Sequence, residues 1–144
     1  MADNATLDPQ DIFMSIGEII VQGGIAEGTF VEIEYESDLF TDVVGSDGVT
    51  ARAKTNDGRA TVKFSVMQTS PVNGLLSALM NVDQSAPNGA GIAPLLVQNH
   101  RDGSTFFGEE AWIMKRPSVA YGNEIKIVDW EVRVGNLSFQ LNGG

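Results

Sequence analysis

Residues 29–36 read Thr-Phe-Val-Glu-Ile-Glu-Tyr-Glu, an alternation of apolar and acidic side chains with a period of two. A helix would scatter that pattern around its axis, whereas a strand sends successive side chains to opposite faces. The segment therefore predicts a strand with Val31, Ile33 and Tyr35 on one face and Glu32, Glu34 and Glu36 on the other. The same region carries the net charge of the whole chain. Eleven acids and no Lys or Arg lie in the first 51 residues; from Arg52 onward there are nine bases and eight acids.

A chain of 144 residues is long enough for one domain with its own core, and 42% hydrophobic content is too high for an acidic disordered protein. A net charge of −10 argues against a nucleic-acid or anionic-membrane surface, since both need clustered Lys and Arg. The absence of Cys excludes a disulfide framework and thiolate chemistry. Met1 to Asp8 lacks the basic start and apolar run of a signal peptide, and no stretch approaches 18 apolar residues. The expected organisation is a flexible arm over residues 1–10 and a single β domain over residues 11–144.

Along the chain, Ile12 to Val21 reads as two short strands or one bent strand, interrupted at Gly17-Glu18. Ser37 to Asn56 carries a turn signal at Ser46-Asp47-Gly48 between apolar segments, which makes it a candidate long hairpin arm. Asn56-Asp57-Gly58 is a tight-turn signal. Thr61 to Gln68 alternates again, with Val62, Phe64 and Val66 inward and Thr61, Lys63 and Ser65 outward. One helix is expected, with Ser70 as N-cap and Pro71 in the first position. Its core face is Val72, Leu75, Leu76, Leu79 and Met80, and it stops near Asn81–Asp83. The last third reads as strands over Ile92–Gln98, Thr105–Lys115 and Glu124–Leu141. In the last of these, side-chain parity switches at a bulge or turn, Gly135-Asn136. The expected fold is mainly β, an antiparallel sandwich or barrel with one flanking helix and a long hairpin arm.

No constellation of residues carries a reaction. His100 is the only histidine and sits in a polar turn, so no serine triad can be assembled around it. Glu109 and Glu110 are adjacent and point to opposite sides of a strand, which separates them as an acid–base pair. Asp42, Asp47 and Gly48 resemble a calcium loop only faintly, without its ligand spacing or closing Glu. The Gly-rich runs lack the Lys of a phosphate loop. Trp112 and Trp130 read as core residues. The acid stripe has two readings, plain solvent exposure and a functional wall.

The ordered set Gly28-Thr29-Phe30-Val31, Asp38–Gly48, Arg52–Asp57, Val66–Pro71 and Leu75–Leu79, followed by Pro94–Val97 and Ala111–Ile113, resembles the tail tube proteins of contractile-tailed bacteriophages. The resemblance spans roughly residues 15 to 140, and no single motif in it is diagnostic. It implies a non-enzymatic subunit without cofactor or metal, in stacked hexameric rings around an acidic channel that passes genomic DNA without specific binding. It also implies a tail sheath protein outside, baseplate and tail-terminator proteins at the ends, no membrane partner, and a place in the virion tail after synthesis in the host cytoplasm. Glu32, Glu34 and Glu36 would line the channel. Phe40, Val43, Val44, Asp47, Gly48 and Val49 would form an inter-subunit arm. A contractile bacteriocin or secretion-type needle shares this architecture. A different class is a monomeric small-ligand-binding β-barrel, its pocket lined by Trp112, Trp130, Phe107 and Phe139.

Overall fold

The computed structural model describes residues 12–21, 31–86 and 88–142. The expected N-terminal arm, the Gly23-Gly24 connection and the Thr29-Phe30 start of the acidic strand lie outside the described residues. The strands are β1 (Ile12–Ile16), β2 (Ile19–Ile20), β3 (Val31–Tyr35), β4 (Phe40–Val44), β5 (Thr50–Lys54) and β6 (Ala60–Met67). After the helix α1 (Val72–Ser85) come β7 (Ala93–Asn99), β8 (Thr105–Lys115), β9 (Ile127–Val134) and β10 (Ser138–Gln140).

Eight strands form one antiparallel sheet in the order β2-β1-β7-β8-β9-β6-β3, with β10 paired to β8; β4 and β5 form a separate hairpin. The mainly β architecture with one helix and a long hairpin is as expected, and its main layer is this single sheet. Ile12–Val21 resolves as two strands, joined through Gly17, whose φ of +60° suits a residue without a side chain.

The alternation in β6 and β9 sends Val62, Phe64 and Val66, and Val128, Trp130, Val132 and Val134, to one face, where all are buried. Met14, Ile16, Leu95, Val97 and Ala111 extend that face across β1, β7 and β8, and Val31, Ile33 and Tyr35 pack against it from β3. Helix α1 covers this apolar layer through Val72 and Leu76, with Leu79 and Met80 partly buried beside them. Leu75 departs from the expected core face and is 52% exposed. At about 100° per residue it stands about 60° from Val72 on the flank it shares with Val82, so the buried stripe is narrower than the apolar pattern suggested.

The helix begins one residue later than expected and ends at Ser85. The Ser70 hydroxyl still accepts the Val72 N–H at 3.3 Å, and Ala86 N–H donates to the Val82 carbonyl at the far end. Asn81-Val82-Asp83 lowers helix propensity but contains no Gly or Pro to break the turn, so the helix runs on. Asn73 anchors the first turn: its amide donates to the Met67, Gln68 and Ser70 carbonyls and its oxygen accepts the Trp130 indole N–H at 2.9 Å.

Asn56-Asp57-Gly58 does not form the expected tight turn. β5 and β6 belong to different sheets, and this segment is the return leg from the hairpin into the main sheet. Gly58 lies so close to Asn136 that a Cβ there would stand 2.1 Å from the Asn136 side-chain oxygen. The parity switch in the last third is a bend at Gly135-Asn136 in a run that stays on β8: β9 and β10 keep one register along it, with Val134 opposite Ala111 and Ser138 opposite Phe107, while Gly135 N–H donates to the Glu110 carbonyl, Leu137 N–H to the Gly58 carbonyl, and Leu137 is buried.

Candidate functional site

The second face of the sheet is open. Glu32 pairs across to Lys63, which pairs to Glu131; Glu34 pairs to Thr61, then Arg133, then Trp112. Ser65 stands opposite Asp129 and its hydroxyl bonds the Asp129 carboxylate. Antiparallel pairing fixes this register, and one face being apolar forces these polar side chains onto the other. The open face of β3, β6 and β9, together with Glu36, carries five acids (Glu32, Glu34, Glu36, Asp129, Glu131) against two bases (Lys63, Arg133). Lys63 Nζ is 3.9 Å from Glu131 Oε1, a surface ion pair that contributes at most about 1 kcal/mol.

The three expected stripe carboxylates are not equivalent. Glu32 and Glu34 lie within β3 and are exposed. Glu36 follows the strand and is drawn back onto the sheet: Thr61 Oγ1 donates to Glu36 Oε1 at 2.6 Å, and an Arg133 guanidinium nitrogen is 3.5 Å from the same oxygen. That cap explains why Thr61, expected outward and solvated, is only 6% exposed. The same guanidinium nitrogen is 3.2 Å from Met114 Sδ, and the buried Arg133 Nε has no hydrogen-bond partner among the described residues. Trp112, expected in the core, is half-buried on this open face because it pairs with Arg133.

The second feature is the β4–β5 hairpin, inserted between β3 and β6. Its register places Phe40 opposite Lys54, Asp42 opposite Arg52 and Val44 opposite Thr50. All ten strand residues are exposed, including Val43 at 70% and Val44 at 63%, as is Val49 at the tip. The Arg52 guanidinium lies 4.3 Å over the Phe40 ring. At the tip, Asp47 accepts the Val49 N–H at 3.1 Å, Gly45 N–H donates to the Val49 carbonyl, and Gly48 adopts φ +85°. Asp47 and Gly48 thus close the turn itself.

The root of the hairpin is tied down. Glu36 N–H donates to the Arg59 carbonyl, Thr55 N–H to the Leu39 carbonyl, and the Ser37 hydroxyl to Asp57 at 2.7 Å. Asp57 also accepts from the Arg59 side chain at 2.8 and 2.9 Å. The Arg59 and Ser37 hydrogen bonds hold the Asp57 carboxyl far below the ordinary carboxylate range. A two-stranded hairpin is marginal in water by itself. This one has a fastened base and an apolar surface that the protein's own core does not cover.

The aromatic pocket of the ligand-barrel alternative does not assemble. Trp130 is in the core, Trp112 is on the opposite face, and Phe107 and Phe139 are exposed at 40% and 55%. Of the four, only Phe139 lines the groove of about 600 Å³ at the hairpin root. His100 is exposed in the β7–β8 turn, edge-on to Phe13. Among the described residues, no His, Asp or Glu side chains gather as a metal site, and no helix is long and apolar enough to cross a membrane.

The fold defines a class. It superposes on the anti-feeding prophage cap, a tube-terminating cap, with a TM-score of 0.66 over 97% of this chain and 94% of that one, at 11% identity. It superposes on a protein of the tail of an empty gene transfer agent particle, refined with C6 symmetry, with a TM-score of 0.60 over 94% of this chain and all of that one, also at 11% identity. In sequence, the chain is 30% identical over 120 residues to structural protein ORF10 of Pseudomonas phage KPP10, covering 83% of this chain and 69% of that protein. Residues 15–142 match the family described as bacteriophage PhiTE tail tube protein, and the chain belongs to that family. It is a structural tail tube protein, not an enzyme.

Proposed function

We propose that this chain assembles into hexameric rings that stack into the tube of a phage tail, with the open acidic face of β3, β6 and β9 turned to the channel. The observation that carries the reading is the two-faced sheet: α1 seals one side, and the other presents Glu32 and Glu34 to solvent beside a net excess of acids. Six-fold order has support in the C6 tail whose protein shares the fold. DNA carries one charge per ~1.7 Å of axis, so a carboxylate wall repels it and lets it slide. Repulsion within the wall is softened by salt, with a Debye length of about 8 Å. In this reading genomic DNA passes without specific binding, the tail sheath protein surrounds the tube, and baseplate and tail-terminator proteins close its ends within the virion. The likeness to a protein of the sheath-tube complex of an extracellular contractile injection system supports the related reading, a tube of a contractile injection device.

Electron microscopy and sedimentation of the purified chain over a range of concentration and salt test the assembly. Hollow tubes of stacked rings are expected. A monomer under every condition contradicts it.

A further inference from the structure

The hairpin leaves the sheet at one end, and an uncommitted surface lies at the other. Tyr35, Ala60 and Val134 are aligned at the hairpin end, while Met67 and Ile127 are aligned at the opposite end. There the chain between β8 and β9, residues 116–126, forms a loop. Val119, Tyr121 and Ile125 in it, and Ile127 just after it, are 50%, 87%, 61% and 52% exposed. The loop is not loose against its own subunit: Gln68 N–H donates to the Lys126 carbonyl, the Gln68 amide to the Ala120 carbonyl, and Arg116 to the Gln84 side chain. These bonds hold its backbone to the exit of β6 and to α1 while its apolar side chains face outward.

Both projecting segments therefore carry apolar side chains without cover from the subunit's own core, and they cannot cover each other within one subunit. β6 alone, eight residues long, separates the two ends by about 25 Å at a rise of about 3.3 Å per residue. Their charges are complementary. Residues 115–126 hold Lys115, Arg116 and Lys126 against Glu124, whereas the arm over 37–55 holds Asp38, Asp42 and Asp47 against Arg52 and Lys54. One segment has a positive excess and the other a negative excess. Complementary surfaces at opposite ends of one body generate a head-to-tail contact, which extends indefinitely instead of closing as a two-fold dimer.

We infer that the β8–β9 loop, through Val119, Tyr121 and Ile125 between Lys115 and Lys126, receives the β4–β5 arm of a second copy of this chain in the next ring. This rests on the tube reading above and assigns the arm's docking site within it. Tyr121 is the anchor: a rigid aromatic side chain standing free of its own subunit is the residue type that dominates interface energy. It meets Val43, Val44 and Val49, and the lysines flank the acids of the arm.

The chain has no Cys, so one thiol can be placed on each surface. The variant Val43→Cys with Tyr121→Cys is assembled, treated with a short-span bismaleimide, and run under denaturing conditions. The expected product is a ladder that continues beyond the size of one ring. Tubes without cross-links, or products that stop at the size of one ring, overturn the pairing, the second by placing the arm on a neighbour in the same ring. A second variant, Tyr121→Ser with Ile125→Ser, keeps the parental melting temperature and raises the concentration needed for polymerisation about tenfold or more. Polymerisation at the parental concentration overturns the pairing while leaving the tube reading intact. If the unmodified chain makes no tubes, the tube reading fails and the pairing falls with it.

Discussion

The indole N–H of Trp130 donates to the side-chain oxygen of Asn73 at 2.9 Å, joining β9 to the first turn of α1 inside the apolar layer. The Asn73 amide spends its hydrogens on the carbonyls where β6 ends. A single side chain therefore ties the first turn of α1 to the exit of β6 and to β9.

Replacing Asn73 by Ala leaves the Trp130 N–H buried without a partner and frees the Met67, Gln68 and Ser70 carbonyls from its amide, which costs about 1–3 kcal/mol. Trp130→Phe removes the donor as well as indole volume, so its loss is mainly one of packing. Chemical denaturation of the two single variants and the double variant checks this. Non-additive losses are expected, because the two residues share one hydrogen bond.

The Tyr35 hydroxyl donates to the Leu137 carbonyl at 2.8 Å, tying the end of β3 to the bend before β10, and its ring lies edge-on to Phe139. Burial raises the Tyr35 pKa above the ordinary phenol value of 10.0. The fold thus favours the neutral form, and its contribution is complete below pH 10 and lost as pH rises through the raised value. Tyr35→Phe is expected to cost about 1 kcal/mol at neutral pH. The gap between variant and parent should narrow in alkaline melts, and a gap that widens would contradict the hydrogen bond's role.

Replacing residues 42–50 by a short Gly-Ser linker removes only exposed residues from the arm. The shortened protein is expected to stay folded and soluble, with an unchanged melting temperature within about 0.5 kcal/mol of stability, and to lose polymerisation. Normal tubes from this variant would show that the arm is not the connector.

Charge reversal separates the three stripe residues. Glu32→Lys with Glu34→Lys alters exposed groups and leaves folding intact, while making the proposed channel retain DNA, most strongly at low salt. Glu36→Lys instead places a cation beside Arg133 and removes the acceptor of the Thr61 hydroxyl, with an expected loss of about 1–2 kcal/mol, discounted for partial exposure. Thermal melts separate the two effects, and DNA retention by assembled tubes reads the first.

Much of this was legible in the sequence because strand periodicity is a strong signal. β8 matches Thr105–Lys115, and the buried parity of Val62, Phe64, Val66, Val128, Trp130, Val132 and Val134 follows directly from alternation. The hairpin arm was legible from turn residues between apolar runs. What alternation cannot reveal is which strands become neighbours. Arg133 meets Glu36 only because β6 sits between β3 and β9, so the tethering of Glu36 to the sheet and the burial of Thr61 had no local signal. Leu75 misled for another reason: the apolar stripe of α1 is broader than the layer it covers. Asn56-Asp57-Gly58 carries a tight-turn signal, while the actual work of Asp57 is to bind Ser37 and Arg59 at the root of the arm.

The central claim is that the open face of β3, β6 and β9 is the wall of a channel. A helical reconstruction of tubes formed by the unmodified chain tests it most directly. The account predicts Glu32 and Glu34 pointing into the lumen, with α1 outside the sheet. Tubes in which these carboxylates lie on the outer surface and α1 faces the channel would contradict it.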